Sequence, residues 1–275
     1  MIGSDPVSPT AHYTGYVWAR HGLSHPELET IEGRVMFESL RPVMLASREL
    51  GGGSLESYLL TRHRAIDALL ERAIEGGGVT QVIEVACGLS PRGWRFTERY
   101  GDQITYVESD LPAMAARKRS ALKRMGSLSG THRVAELDAL RDEGPESLAA
   151  VASGLDPERG LAIVTEGLLG YLPSDAVTGL WRRFAAVQDG FTAGIYVSDL
   201  HMGGVQTSQV RAFRVLLSLF VRGRVHLHFQ TPSEAERALR ECGFSRARVH
   251  RAAALAPETR GPGSGLAHIL EASSR

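Results

Sequence analysis

The stretch Gln81–Pro91, QVIEVACGLSP, constrains this chain more than any other. It opens as an apolar run, Val82, Ile83, Val85 and Ala86, and breaks at Cys87-Gly88-Leu89-Ser90-Pro91. A β-favouring run that ends in small residues and a proline predicts a buried strand turning into a helix. Gly88 tolerates a positive φ and carries no Cβ, so a ligand can lie against the backbone there. Ser90 can cap the next helix, and Pro91 fits its first turn. In doubly wound sheets, such a turn at the carboxyl end of the first parallel strand is where nucleotide-like ligands bind.

The dinucleotide fingerprint G-x-G-x-x-G brings a pyrophosphate to a helix N-terminus. Here Glu84-Val85-Ala86-Cys87-Gly88 has one glycine, a poor pyrophosphate cradle. It suits a phosphate-free ligand such as S-adenosylmethionine. An acid about 20 residues further on, at the tip of strand two, holds a ribose diol in such sheets. Glu108 and Asp110 both fall in that window.

The rest of the chain alternates strand and helix patterns. Strands are expected at Ile104–Glu108, His132–Leu137, Leu161–Thr165 and Ala193–Asp199, with Phe244–Arg251 and Leu266–Ala272 closing the sheet. Leu55, Leu59, Ile66, Leu69, Leu70 and Ile74 recur at helical spacing ahead of Gly76. Residues 29–50 read as one or two helices broken at Pro42, and residues 1–12 as loose. The aromatic run Tyr13–Trp18 reads as a lid or packing segment. Phe213, Leu216, Leu217 and Phe220 mark an amphipathic segment, and Val221–Phe229 alternates as an extended one. The basic run Arg117, Lys118, Arg119, Lys123 and Arg124 reads as a solvated helix face. The β-α alternation predicts a mostly parallel, doubly wound sheet.

Composition removes other classes. The 31 basic and 31 acidic residues cancel, so no global pull toward nucleic acid or anionic membrane is expected. Cys87 and Cys242 make no disulfide framework or zinc pattern, and suit free thiols in a reducing cytoplasm. No secretory signal or bilayer-spanning run is read in the chain. His21 and His25 are four apart, but Gly22 and Pro26 break the helix that would align them, so no metal is expected.

Together the pieces resemble the leucine carboxyl methyltransferase family, class I S-adenosylmethionine-dependent enzymes that include bacterial O-methyltransferases of polyketide biosynthesis. The resemblance covers roughly residues 12–200. It rests on Arg62/Arg64 ahead of Ile66-Asp67, on VIEVACGLSPRGWRF, YVESDLP, AELDAL and IVTEGLLGYLP. The chain departs from the family pattern at Ser90-Pro91-Arg92, where many members have Asp-Thr-Arg, and at Gly170, where a larger residue is commoner.

The resemblance implies an α/β, doubly wound Rossmann-like sheet with an antiparallel last strand. One domain over 1–275 is expected: an N-terminal helical lid over 1–78, and a core over 79–275 with an inserted helix–strand segment at about 203–230. It implies that Arg62, with Arg64 as fallback, holds the methionine carboxylate. Ala86 and Gly88 line the cofactor. Asp110, ahead of Glu108, holds the ribose. Leu137 and Asp138 flank the adenine, in a register open by one or two residues, and Glu166 lies near the methionine ammonium. Tyr16 and Tyr171 are candidate substrate contacts.

Methyl transfer from a sulfonium is an in-line displacement, for which orientation in a water-poor site supplies much of the acceleration. An acceptor carboxylate is already ionised at pH 7, whereas a phenol or alcohol needs a base. His201, just past strand five, is the candidate base for the second case. The expectation is an O-methyltransferase of a small-molecule carboxyl or hydroxyl, cytoplasmic, monomeric or homodimeric. Three alternatives stand beside it: a non-catalytic S-adenosylmethionine-binding module, a protein C-terminal carboxyl methyltransferase, and an NAD-type oxidoreductase, which the missing glycines disfavour.

Overall fold

The computed structural model describes residues 9–49, 54–203, 226–259, 261 and 263–274. Three helices come first: α1 (Pro9–Arg20), α2 (Ile31–Glu49) and α3 (Leu55–Glu75). Ser54 caps α3 by accepting a hydrogen bond from the Ser57 amide at 3.2 Å. Strand β1 (Gln81–Val85) leads into α4 (Arg92–Tyr100), β2 (Thr105–Asp110) into α5 (Pro112–Arg124), and β3 (His132–Glu136) into the short α6 (Leu148–Ala152). Then come β4 (Leu161–Thr165), α7 (Ser174–Asp189), β5 (Gly194–Leu200), α8 (Pro232–Glu241), β6 (Arg246–Arg251) and β7 (His268–Ser273).

The strands form one sheet in the order β3-β2-β1-β4-β5-β7-β6. β1 to β5 run parallel, and β7 is antiparallel to both β5 and β6. This is the doubly wound sheet with an antiparallel closing strand that the alternation and the resemblance led us to expect. Two apolar layers cover its faces, and the period-2 pleat sorts residues between them. Val82, Tyr106, Ala162, Val164 and Val197 face the layer built with α1 and α3. Ile83, Val107, Ile163 and Tyr196 face the layer built with α7 and α8. The strand order reverses between β1 and β4, so their carboxyl ends open the crevice where such sheets bind ligands.

Three expectations change. Residues 9–12 belong to α1, whose Tyr13, Tyr16 and Val17 are buried at helical spacing. Helix α2 continues through Pro42. That proline is on the exposed side, while Met36, Leu40 and Met44 pack inward beside Phe37 and hold the helix across the missing hydrogen bond. Lys118, read as part of a solvated face, is fully buried. The amphipathic segment carrying Phe213, Leu216, Leu217 and Phe220, and the alternating stretch as far as residue 225, lie outside the described residues. Among the described residues no helix is long and apolar enough to cross a membrane.

Candidate functional site

The turn after β1 is left-handed at two residues, Ala86 (φ 54°) and Gly88 (φ 53°). Gly88 adopts that geometry freely, whereas for alanine it costs about 1–2 kcal/mol. The neighbouring strand holds the turn in place. The Cys87 amide donates to the Ser109 carbonyl at 2.9 Å, and the Gly88 amide to Asp110 Oδ2 at 2.7 Å. Asp110 Oδ1 accepts from the Leu111 amide at 2.8 Å, and the Asp110 carbonyl accepts from Leu137 at 2.9 Å. Ala86, Gly88, Asp110 and Leu137 therefore converge at the tips of β1, β2 and β3. Burial raises the Asp110 carboxyl above its ordinary value, against the two amides that favour its charged form. Helix α1 lies over the turn: a Cβ on Gly88 would touch Ala11, and one on Gly15 would press on Leu89 at 3.2 Å.

Beside the turn sits a buried ion network. Helix α3 contributes Arg62, His63 and Asp67, and the loop after β4 contributes Glu166. Glu166 accepts from Arg62 Nε at 2.9 Å, from His63 Nδ1 at 2.8 Å and from Arg92 Nη2 at 2.6 Å. His63 is also flanked by two arginines, its Nε2 3.2 Å from Arg95 Nη1 and its Nδ1 3.0 Å from Arg92 Nη2. Arg92 is fully buried and also donates to Asp67 Oδ1 at 2.7 Å and Glu84 Oε1 at 2.5 Å. Tyr106 donates to the other Glu84 oxygen at 2.8 Å. Arg62 reaches Asp199 at 3.3 Å, and Asp199 accepts the Gly167 amide at 2.7 Å, where φ is 73°.

Burial alone would raise the carboxyls of Glu166 and Asp67. The cations around them win: His63, Arg62 and Arg92 hold Glu166 well below the carboxylate range, and His63, Arg92 and Arg95 bring Asp67 to about 2. Three arginines meet four carboxylates in this network, His63 aside.

At the end of β5, Tyr58 Oη and His201 Nε2 are 2.8 Å apart. Burial holds the Tyr58 phenol well above its ordinary value, so it keeps its proton. Tyr171 is exposed, and its hydroxyl lies 2.6 Å from Thr10 Oγ1 on α1. Tyr16 is buried against Phe37 at a centroid distance of 5.3 Å.

The structure brings Arg62 and Glu166 into direct contact and gathers Ala86, Gly88, Asp110 and Leu137 around one turn. Two expected residues stand elsewhere. Glu108 points into the interior, where Lys118 and His132 take its carboxylate, so Asp110 alone presents an acid at the strand tip. Asp138 turns to the Leu140 amide at 3.0 Å and to Arg141 at 3.5 Å. Sequence reasoning left Glu84 open between ligand and core, where the structure gives it to Arg92 and Tyr106, and gave no ligand-side role to His63, Asp67, Arg92, Arg95 or Asp199. The available signal was the i, i+4 spacing of His63 and Asp67, which puts them on one helix face beside Arg62.

A family model described as leucine carboxyl methyltransferase matches residues 25–185. A protein of Frankia alni, provisionally named as an S-adenosyl-L-methionine-dependent methyltransferase, is 33% identical over 129 residues, 47% of this chain and 43% of its own length. A Mycolicibacterium gilvum protein, provisionally named in the same way, is 38% identical over 99 residues, 36% of this chain and 31% of its own. The chain spans less than half the length of these curated relatives. A solved structure from Thermobifida fusca, provisionally described as a methyltransferase, covers 98% of this chain and 97% of its own, with a TM-score of 0.67 at 16% identity. A DUF574 family protein from Streptomyces avermitilis covers 98% of each chain, with a TM-score of 0.61 at 12% identity. At these identities the likeness is one of fold.

Proposed function

The chain belongs to the leucine carboxyl methyltransferase family, and from that premise we propose that it is an S-adenosylmethionine-dependent methyltransferase acting on an oxygen of a small molecule. One observation carries the reading. Arg62 and Glu166, in contact at 2.9 Å, share the carboxyl edge of the sheet with Asp110, which is bonded to the Gly88 amide at 2.7 Å.

The donor set fits the cofactor. Asp110 has acceptor capacity left for a diol at the tip of β2, and Arg62 has N–H groups beyond those given to Glu166 and Asp199 for a carboxylate. Glu166 and Asp199 supply negative charge for an ammonium. Ala86 and Gly88 offer a turn against which an apolar nucleoside can lie, and Leu137 adds an apolar wall.

When bound, S-adenosylmethionine supplies an electrophilic methyl group on a sulfonium. The protein's share is orientation and exclusion of water, and α1 over the turn provides the cover. His201 Nε2 is already bonded to the Tyr58 hydroxyl at 2.8 Å, so that nitrogen could take a proton from an acceptor only by giving up a buried partner. That arrangement favours an acceptor that is ionised already, so within the carboxyl-or-hydroxyl range a carboxylate is the better match. The family resemblance leans toward a carboxyl or hydroxyl of a small molecule of polyketide type, and the free thiols Cys87 and Cys242 suit the cytoplasm as its compartment.

Calorimetric titration with S-adenosylhomocysteine and separately with NAD, on the native protein and on Arg62→Ala and Asp110→Ala, tests the cofactor. Micromolar binding of the first ligand alone, lost in both variants, is the expected result. Binding that ignores both substitutions overturns the site. Transfer of labelled methyl to matched carboxylic and phenolic acceptors then tests the acceptor, and turnover confined to phenols overturns the carboxylate reading.

A further inference from the structure

Lys118 is a fully buried cation on α5 that feels the Glu84 carboxylate of the network around Glu166 without bonding to it. Its ammonium meets two groups, the Glu108 carboxylate and the Ser90 carbonyl. Glu108 is secured from its other side by His132 Nε2 at 2.8 Å. His132 is held in turn through Nδ1, 2.9 Å from the Ser127 carbonyl. The carboxylate lies directly beneath the first turn of α4, and a Cβ on Gly93 would overlap it. Glycine at 93 lets the helix settle onto a buried acid, which in turn places the lysine under Ser90.

Ser90 ends the turn that begins at Ala86. That turn carries two left-handed residues, one of them not glycine, so its backbone is held in a costly shape. Strand β2 fixes its first half through Cys87 and Gly88. The second half, past Gly88, has its own Ser90–Cys87 amide bond at 2.9 Å and the lysine. A lysine rarely enters an interior unless its charge is matched and its donors are used. Here the match is Glu108, and the donor is spent on the backbone of the turn.

We infer that Lys118 is a positioning residue: anchored by Glu108, it clamps the Ser90 carbonyl and so holds the 86–90 turn in its ligand-ready shape. The inference rests on the reading of that turn as the S-adenosylmethionine site. Lys118 touches no ligand itself. Its effect is on how much of the binding free energy is lost to ordering the turn.

Lys118→Met alone strands Glu108 in the interior, so the test uses Lys118→Met paired with Glu108→Gln, which removes both charges together. Amide hydrogen exchange, thermal melting and S-adenosylhomocysteine calorimetry are measured on the native protein and the double variant. The expected result is at least tenfold faster exchange at Cys87, Gly88 and Ser90, unchanged exchange in β4, and at least tenfold weaker binding by a protein that still melts cooperatively. Unchanged exchange at the turn overturns the clamp, as does acceleration spread evenly over β1 and β4, because either result makes the pair a general core element. Faster turn exchange with undiminished binding overturns the link to the ligand. If the native protein binds no S-adenosylhomocysteine, the cofactor reading falls first, and exchange at the turn then reports on the clamp separately.

Discussion

Glu166 illustrates how much one buried carboxylate can organise. It takes three cations from two elements, and each cation is tied to a further acid. Removing one partner of such a set leaves a desolvated charge behind, which costs about 3–5 kcal/mol. Glu166→Gln is therefore expected to lower the melting temperature strongly, whereas a surface change such as Arg237→Gln leaves it within a degree or two. The network also sets a pH dependence. Asp67, at about 2, and Glu166 both titrate below their unfolded values, so their stabilisation is fully present above about pH 4.5. It is lost as pH falls through the folded values, so acid unfolding is expected to begin below about pH 4 and steepen toward 2. A melting series from pH 7 to pH 2 checks this, and stability that declines steadily from neutrality would contradict it. Asp110 shifts the other way, so S-adenosylhomocysteine affinity is expected to fall with acidification before the fold does.

At the scale of elements, the turn after β1 is the costly piece. Ala86→Gly removes the left-handed penalty on alanine and is expected to stabilise the protein by about 1 kcal/mol, a few degrees in melting temperature for a chain of this size. Its effect on binding is separable, since glycine also loosens the unbound turn. The opposite case is Gly160, ahead of β4, where a Cβ would run into the Gly78 carbonyl. Backbone cannot move aside as a side-chain end can. Gly160→Ala is expected to destabilise by about 1–3 kcal/mol, read from chemical denaturation at unchanged slope.

At the scale of the molecule, the three N-terminal helices and the sheet meet over the site. α1 covers Gly88 and Leu89, Trp18 packs on His63 at 4.6 Å, and Thr10 reaches Tyr171. Surface pairs tie the segment after α1 to α5, among them Glu27 with Arg124 at 2.5 Å. We propose that residues 1–78 act as a cap on the core rather than as a separate unit. Gly15→Val tests this: the added methyls press on Leu89 and lift α1 from the turn. Weaker S-adenosylhomocysteine binding, with the core strands still protected from exchange, is the expected outcome. Equal binding would mean that the cap is dispensable to the site.

The sheet was legible in the chain because strand periodicity and turn chemistry are local. The first strand carried its own punctuation, with Gly76-Gly77-Gly78 closing α3 ahead of it and Gly88 following it, and the alternation of strands with helices pointed to a parallel sheet. Arg62, Glu166 and Asp110 came from motifs with a resemblance behind them. What stayed hidden depended on pairing across the chain. Lys118 looked like one of five solvated cations, since nothing local says that Glu108, ten residues earlier on a different element, is buried opposite it. The same holds for Arg92, whose three carboxylate partners lie 8, 25 and 74 residues away. A charge's solvation is set by what packs around it, and only the tertiary structure brings those partners within reach. Glu108 and Asp110, two positions apart on one strand, were equal by count, and the resemblance put Asp110 ahead; the fold buries Glu108 beneath α4 and leaves Asp110 at the strand tip against the Gly88 amide.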